Sequence, residues 1–126
     1  VAIFSTSGRL FGGVAVDRTV FRELLPDHRW YAYAAGLVDP GDANIATLSL
    51  VYVENTTSTT HTLGSTTKTG AGQVKFTLGP FDVFGTAGVP AGEDVPVVRF
   101  KAIKDAGVDG AVEAVTLWLR YLPRAQ

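Results

Sequence analysis

Three observations predict an all-β fold. Apolar and polar residues alternate with period two over most of the chain, turn signals separate the alternating segments, and helical periodicity is nearly absent. Strands without regular crossover helices pair antiparallel. Roughly seven to nine short strands separated by turn signals are the pattern of a sandwich or barrel, and a two-sheet sandwich is preferred. A jelly-roll sandwich is the first expectation and an immunoglobulin-like sandwich the second. The 126 residues fit one domain, 1–126, large enough to bury a core without disulfides or metal.

Each segment has its own reason. Val1 to Ser5 is a short apolar piece closed by the turn-prone Ser7-Gly8. Leu10 to Val16 reads as extended, with a bulge or weakness at Gly12-Gly13. From Thr19 to Leu25, Val20, Phe21, Leu24 and Leu25 fit one short helical face that Pro26 stops, or else an irregular connection. Arg29 to Leu37 has high β propensity from Trp30, Tyr31 and Tyr33. Asp39-Pro40-Gly41-Asp42 is a turn, because proline presets one backbone angle and glycine accepts a positive one. Ile45 to Val53 is a strand with Leu48, Leu50 and Tyr52 on one face.

The threonine-rich tract Asn55 to Thr69 reads as a solvated edge hairpin centred on Leu63-Gly64-Ser65. Gln73 to Leu78 alternates cleanly, with Val74, Phe76 and Leu78 on one side, and Gly79-Pro80 breaks or bends it. Phe81 to Phe84 resumes an apolar piece before a glycine-rich loop, Gly85 to Asp94. Val95 to Ile103 sets Val98, Phe100 and Ala102 opposite Arg99 and Lys101. Lys104 to Gly110 is a hairpin-like connection. In the last strand Val115, Leu117, Leu119 and Tyr121 share one face, and Thr116, Trp118 and Arg120 the other.

Composition narrows function by exclusion. Hydrophobic residues make 46% of the chain and charged ones 18%, the balance of a folded protein. The net charge of −1 and the scattered basic residues give no footprint for nucleic acid. No apolar run reaches bilayer length, so membrane insertion is not expected. The chain begins at Val1 and holds neither cysteine nor methionine. It reads as a processed product or as part of a longer gene product, suited to an exposed, long-lived or hot setting, and is expected outside the cell or on a virion surface.

Catalytic chemistry has little to stand on. Asp27 and His28 are adjacent, so a strand would turn them to opposite faces. His61 sits in the threonine tract without a partner near it in sequence. No nucleophile elbow and no phosphate loop is present. No enzyme activity and no cofactor is expected. Asp39, Asp42 and Asn44 cluster at one turn, and Asp105 and Asp109 at another. These oxygens are the candidates for a metal, although the same residues populate turns for local hydrogen-bond reasons. Asn55-Thr56-Thr57 makes Asn55 a candidate for N-glycosylation.

Assembly is the better-supported reading. Val51, Val53, Ile103, Val112 and Trp118 place apolar groups on the less buried strand faces, and small monomers rarely expose large contiguous apolar patches. Residues 1–5 suit either a strand within the domain or one donated to a neighbouring subunit. The expected interface is therefore Val1, Ile3, Phe4, Val51, Val53 and Trp118. The expected function is a non-enzymatic structural subunit that binds copies of itself in an extracellular filament, a viral shell or a surface layer. The alternative is a carbohydrate-binding module of a secreted protein, with a glycan stacked on Trp118 or Tyr31.

Overall fold

The computed structural model describes residues 2–17, 19–55, 57–85 and 96–124. Eight strands follow in order: β1 (Ala2–Phe4), β2 (Arg9–Ala15), β3 (His28–Asp39), β4 (Ala46–Val53), β5 (Thr60–Lys68), β6 (Val74–Asp82), β7 (Val97–Lys104) and β8 (Gly110–Pro123). One short helix, α1 (Val20–Leu24), joins β2 to β3. The strands form two four-stranded sheets, ordered β1-β8-β3-β6 and β2-β7-β4-β5, and every pairing is antiparallel.

Four pairs nest inside one another: β1 with β8, β2 with β7, β3 with β6, and β4 with β5. The chain thus folds as one long hairpin rolled over two sheets, which is the jelly roll. The core forms where the period-two residues of both sheets meet. Ala32, Ala34, Val38, Phe76 and Leu78 face it from one sheet, and Leu48, Leu50, Tyr52, Val98, Phe100 and Ala102 from the other. Phe76 and Phe100 stack across the gap with centroids 5.3 Å apart.

One expectation is corrected, and two open alternatives are decided. The threonine tract lies at an edge but is not a hairpin centred on Gly64: the Glu54 N–H donates to the Thr59 carbonyl to close the turn, and β5 runs through Leu63-Gly64-Ser65 as the outer strand of its sheet. The glycine there marks a register shift, where Val51 pairs with Thr62 and Leu50 with Gly64. A Cβ on Gly64 would sit 2.3 Å from the Phe81 ring, so that glycine makes room for an aromatic of the opposite sheet. At Gly79-Pro80 the strand is bent and not broken. β6 continues to Asp82, with a register shift opposite Ala32–Ala34. Of the two readings of Thr19 to Leu25 the helix holds, over Val20–Leu24, with Phe21 against the Trp30 and Tyr121 rings and Leu24 70% exposed. The loop expected over Gly85 to Asp94 falls, beyond Gly85, outside the described residues.

The N-terminal segment takes one of its two expected uses. Ala2, Ile3 and Phe4 pair with Val112, Ala111 and Gly110 of the same chain. Phe4 is 2% exposed, and its ring occupies the space that a side chain on Gly110 would need.

Candidate assembly edge

β1 is three residues long and β8 is fourteen. β3 pairs with β8 along its whole length on one side. On the other side β1 reaches only Val112. From Glu113 to Pro123, among the described residues, no strand pairs with that side of β8. Half of the backbone N–H and C=O groups there point away from β3, as they do in any edge strand.

The open side also explains burial. Val115, Leu117 and Leu119 face the core yet are only partly buried, whereas Ala32 and Ala34 opposite them on β3 are fully buried. On the outer face Trp118 is 38% exposed and lies parallel to Tyr33, at 5.4 Å and 3°. Tyr121 donates its hydroxyl to the Leu25 carbonyl at 2.8 Å, so the exposed apolar side chains of α1 adjoin the end of this edge.

The other outer strands carry features that discourage pairing. β2 breaks register between Phe11 and Val14, around Gly12-Gly13. β5 has its shift at Leu63 and ends on Lys68. β6 carries Lys75 and Pro80, and its register shifts beside the proline. Bulges, lysines and prolines are the usual protections of edge strands. Between Ala114 and Leu122 β8 keeps an unbroken register with β3, and its one charged side chain is Arg120.

The six residues expected at an interface fare differently. Trp118 lies on the open strand. Ile3 is 50% exposed on β1, beside the place where the edge opens. Val53 is half-buried. Phe4 and Val51 are corrections, because both are buried within the chain and offer nothing to a partner. Val51 lies on central strand β4, flanked by Arg99 of β7 and Thr62 of β5, which leave it no accessible surface. Val1 is outside the described residues.

The acidic turns converge on an amine. Lys104 is 1% exposed and donates to the Pro40 carbonyl at 2.6 Å, to Asp42 Oδ1 at 2.6 Å and to the Asn44 carbonyl at 3.2 Å. Asp42 Oδ2 accepts from the Val108 N–H at 2.7 Å. Asp39 Oδ1 accepts from the N–H groups of Gly41 and Gly72. Asp105 and Asp109 are exposed. Among the described residues no cluster of metal-ligating side chains forms. The oxygens of the first turn are instead committed to an ammonium and to backbone donors.

His61 does have a partner, which lies across the β4–β5 turn. Its Nε2 is 2.5 Å from Oε2 of Glu54, whose side chain is 7% exposed. Thr57 donates to the other Glu54 oxygen at 3.0 Å. The hydroxyl is thus bonded to the carboxylate and not to the imidazole, the reverse of an activated nucleophile. Asn55 is exposed on the same turn, where an attached glycan would meet solvent. The pairing of Glu54 with His61 is not legible in the sequence, because a turn at Gly64 would leave the two apart and only the turn before Thr60 brings them together.

The chain matches no protein-family model, no curated protein and no solved structure. The strand order alone carries the jelly-roll assignment.

Proposed function

We propose that this chain is a non-enzymatic structural subunit that self-associates by pairing the open edge of β8 with the same edge of a second copy. The observation that supports the reading is the length of unprotected, apolar strand from Ala114 to Leu122. An antiparallel contact of β8 with itself is two-fold symmetric, so one surface serves both copies. It would extend the four-stranded sheet across two subunits, as strand addition does in peptide recognition. It would also bring Val115, Leu117 and Leu119 against their counterparts. Completing the burial of each contributes on the order of 1 kcal/mol, a share of the roughly 1.5–3 kcal/mol for full burial of such a side chain.

A filament, a shell and a surface layer differ in the further contacts that join such pairs. The exposed apolar side chains of α1 next to the β8 edge are the surface for one of them.

The test is sedimentation velocity across roughly micromolar concentrations, with negative-stain imaging of the concentrated sample. The wild-type chain is expected to shift to dimers and larger particles. Trp118→Lys sets an exposed charge on the edge and leaves the core faces untouched, and is expected to stay monomeric. Wild-type chain that stays monomeric throughout overturns the reading.

A further inference from the structure

A cavity of about 210 Å³ opens at the end of the β1-β8-β3-β6 sheet, where β3 begins and β6 and β8 end. Pro26, Trp30, Phe84 and Tyr121 line it together with His28, Arg29 and Asp82. We infer that this cavity binds a single neutral pyranose ring. The inference is independent of edge pairing, because the cavity is complete within one chain.

Size is the first argument. Drug-sized ligands occupy roughly 300–1,000 Å³, so this cavity takes one ring and no more. Charge is the second. Arg29 Nη1 and Asp82 Oδ2 lie 3.7 Å apart, so the two charges compensate each other at the rim. A phosphate or carboxylate would find its attraction to the guanidinium offset by the aspartate. A neutral polyol uses both groups, since the guanidinium only donates and the carboxylate only accepts, while a sugar hydroxyl does either.

Shape is the third argument. Among the cavity's own rings, Trp30 meets Tyr121 at 48°, and His28 stacks on Tyr121 at 28° with centroids 5.3 Å apart. A flat heteroaromatic needs a slot between parallel rings, and Trp30 and Tyr121 do not form one. A puckered ring needs one aromatic surface for its C–H face and polar groups around its rim. The polar groups are held in place beforehand. Asp82 Oδ1 accepts from the N–H groups of Phe84 at 3.2 Å and Gly85 at 3.1 Å. Trp30 Nε1 donates to the Asp17 carbonyl at 2.9 Å. His28 Nδ1 is buried and has no hydrogen-bond partner among the described residues, and an unsatisfied atom of this kind calls for a bound hydroxyl or water.

The chain has two tryptophans, and this makes the test direct. In ¹⁵N-labelled full chain the two indole N–H signals report on Trp30 in the cavity and Trp118 on the open edge. The probes are methyl β-glucopyranoside, methyl β-galactopyranoside, methyl α-mannopyranoside and N-acetylglucosamine. At least one is expected to shift the Trp30 signal saturably, at roughly millimolar concentration, and to leave Trp118 unmoved. Arg29→Gln, a change at a surface side chain, is expected to weaken that probe about tenfold, as loss of a charge-assisted hydrogen bond does. A second arm presents the same sugar at the non-reducing end of a trisaccharide. Equal binding there identifies a glycan terminus as the source, and binding of the free glycoside alone identifies a free sugar. The inference is overturned if no probe moves Trp30, if only Trp118 responds, or if Arg29→Gln binds as tightly as wild type.

Discussion

The ammonium of Lys104 lies 2.6 Å from Oδ1 of Asp42, at the end of β7 and in the turn after β3. The same carboxylate accepts the N–H of Val108 from the turn before β8. One aspartate therefore ties the turn after β3 to both sides of the β7–β8 connection, which is far from it in sequence. The Lys104 hydrogen bond, followed by the backbone N–H groups of Val108 and Asn44, holds the Asp42 carboxyl well below the usual carboxylate range.

That depression fixes the direction of an acid effect. An aspartate in the unfolded chain titrates near 3.9. Because the folded form holds its proton less tightly, the Asp42 contribution is complete above that value and is lost as pH falls toward the folded one. Asp42→Asn is expected to melt at a lower temperature than wild type at neutral pH. The gap is expected to narrow below about pH 4. Thermal melts by circular dichroism over that range check it, and a constant gap contradicts it.

The seat of Phe4 is Gly110, where a Cβ would approach the ring to 2.3 Å. Gly110→Val forces either the ring or the strand to move. Overpacking of this kind costs about 1–3 kcal/mol. With only three residues in β1, the expected response is local: residues 2–4 lose hydrogen-exchange protection while β3 and β4 keep theirs. Protection of β1 equal to wild type would show that the ring is not seated there.

Glu54 serves His61 and Thr57 together from a nearly buried position. Glu54→Ala leaves the His61 nitrogen without its partner, a loss of about 1–3 kcal/mol, while the exposed Thr57 keeps its hydrogen bond with Thr59. Because the two side chains form one unit, Glu54→Ala and His61→Ala are expected to couple, with the double variant less destabilised than the sum. Urea unfolding of the four proteins measures the coupling. Strict additivity contradicts the unit.

The two-residue period made the core faces of β4, β6 and β7 legible, since Leu48, Leu50, Phe76, Leu78, Val98 and Phe100 are buried as their alternation requires. The sandwich class followed from counting such segments. Lys104 was a missed signal. It continues the inward row of Val98, Phe100 and Ala102, so the period itself turns it inside, where a charge needs partners. Gly64 misled because a turn and a close approach both call for glycine, and the ring that fills its space comes from β6, far along the chain. The open edge of β8 was not legible at all. Periodicity tells which face of a strand is covered, and says nothing of which strand lies beside it. The cavity near Trp30 was hidden for the same reason, since its walls come from three strands and two turns.

Amide hydrogen exchange along β8, read residue by residue in dilute and in concentrated protein, tests edge pairing most directly. If two copies pair there, alternate amides between Ala114 and Leu122, those pointing away from β3, exchange fast when dilute and slow markedly when concentrated. Their neighbours bonded to β3 stay protected in both samples. Equal exchange of the outward amides at both concentrations would mean that the edge stays open to water, and the proposed self-association through β8 would be wrong.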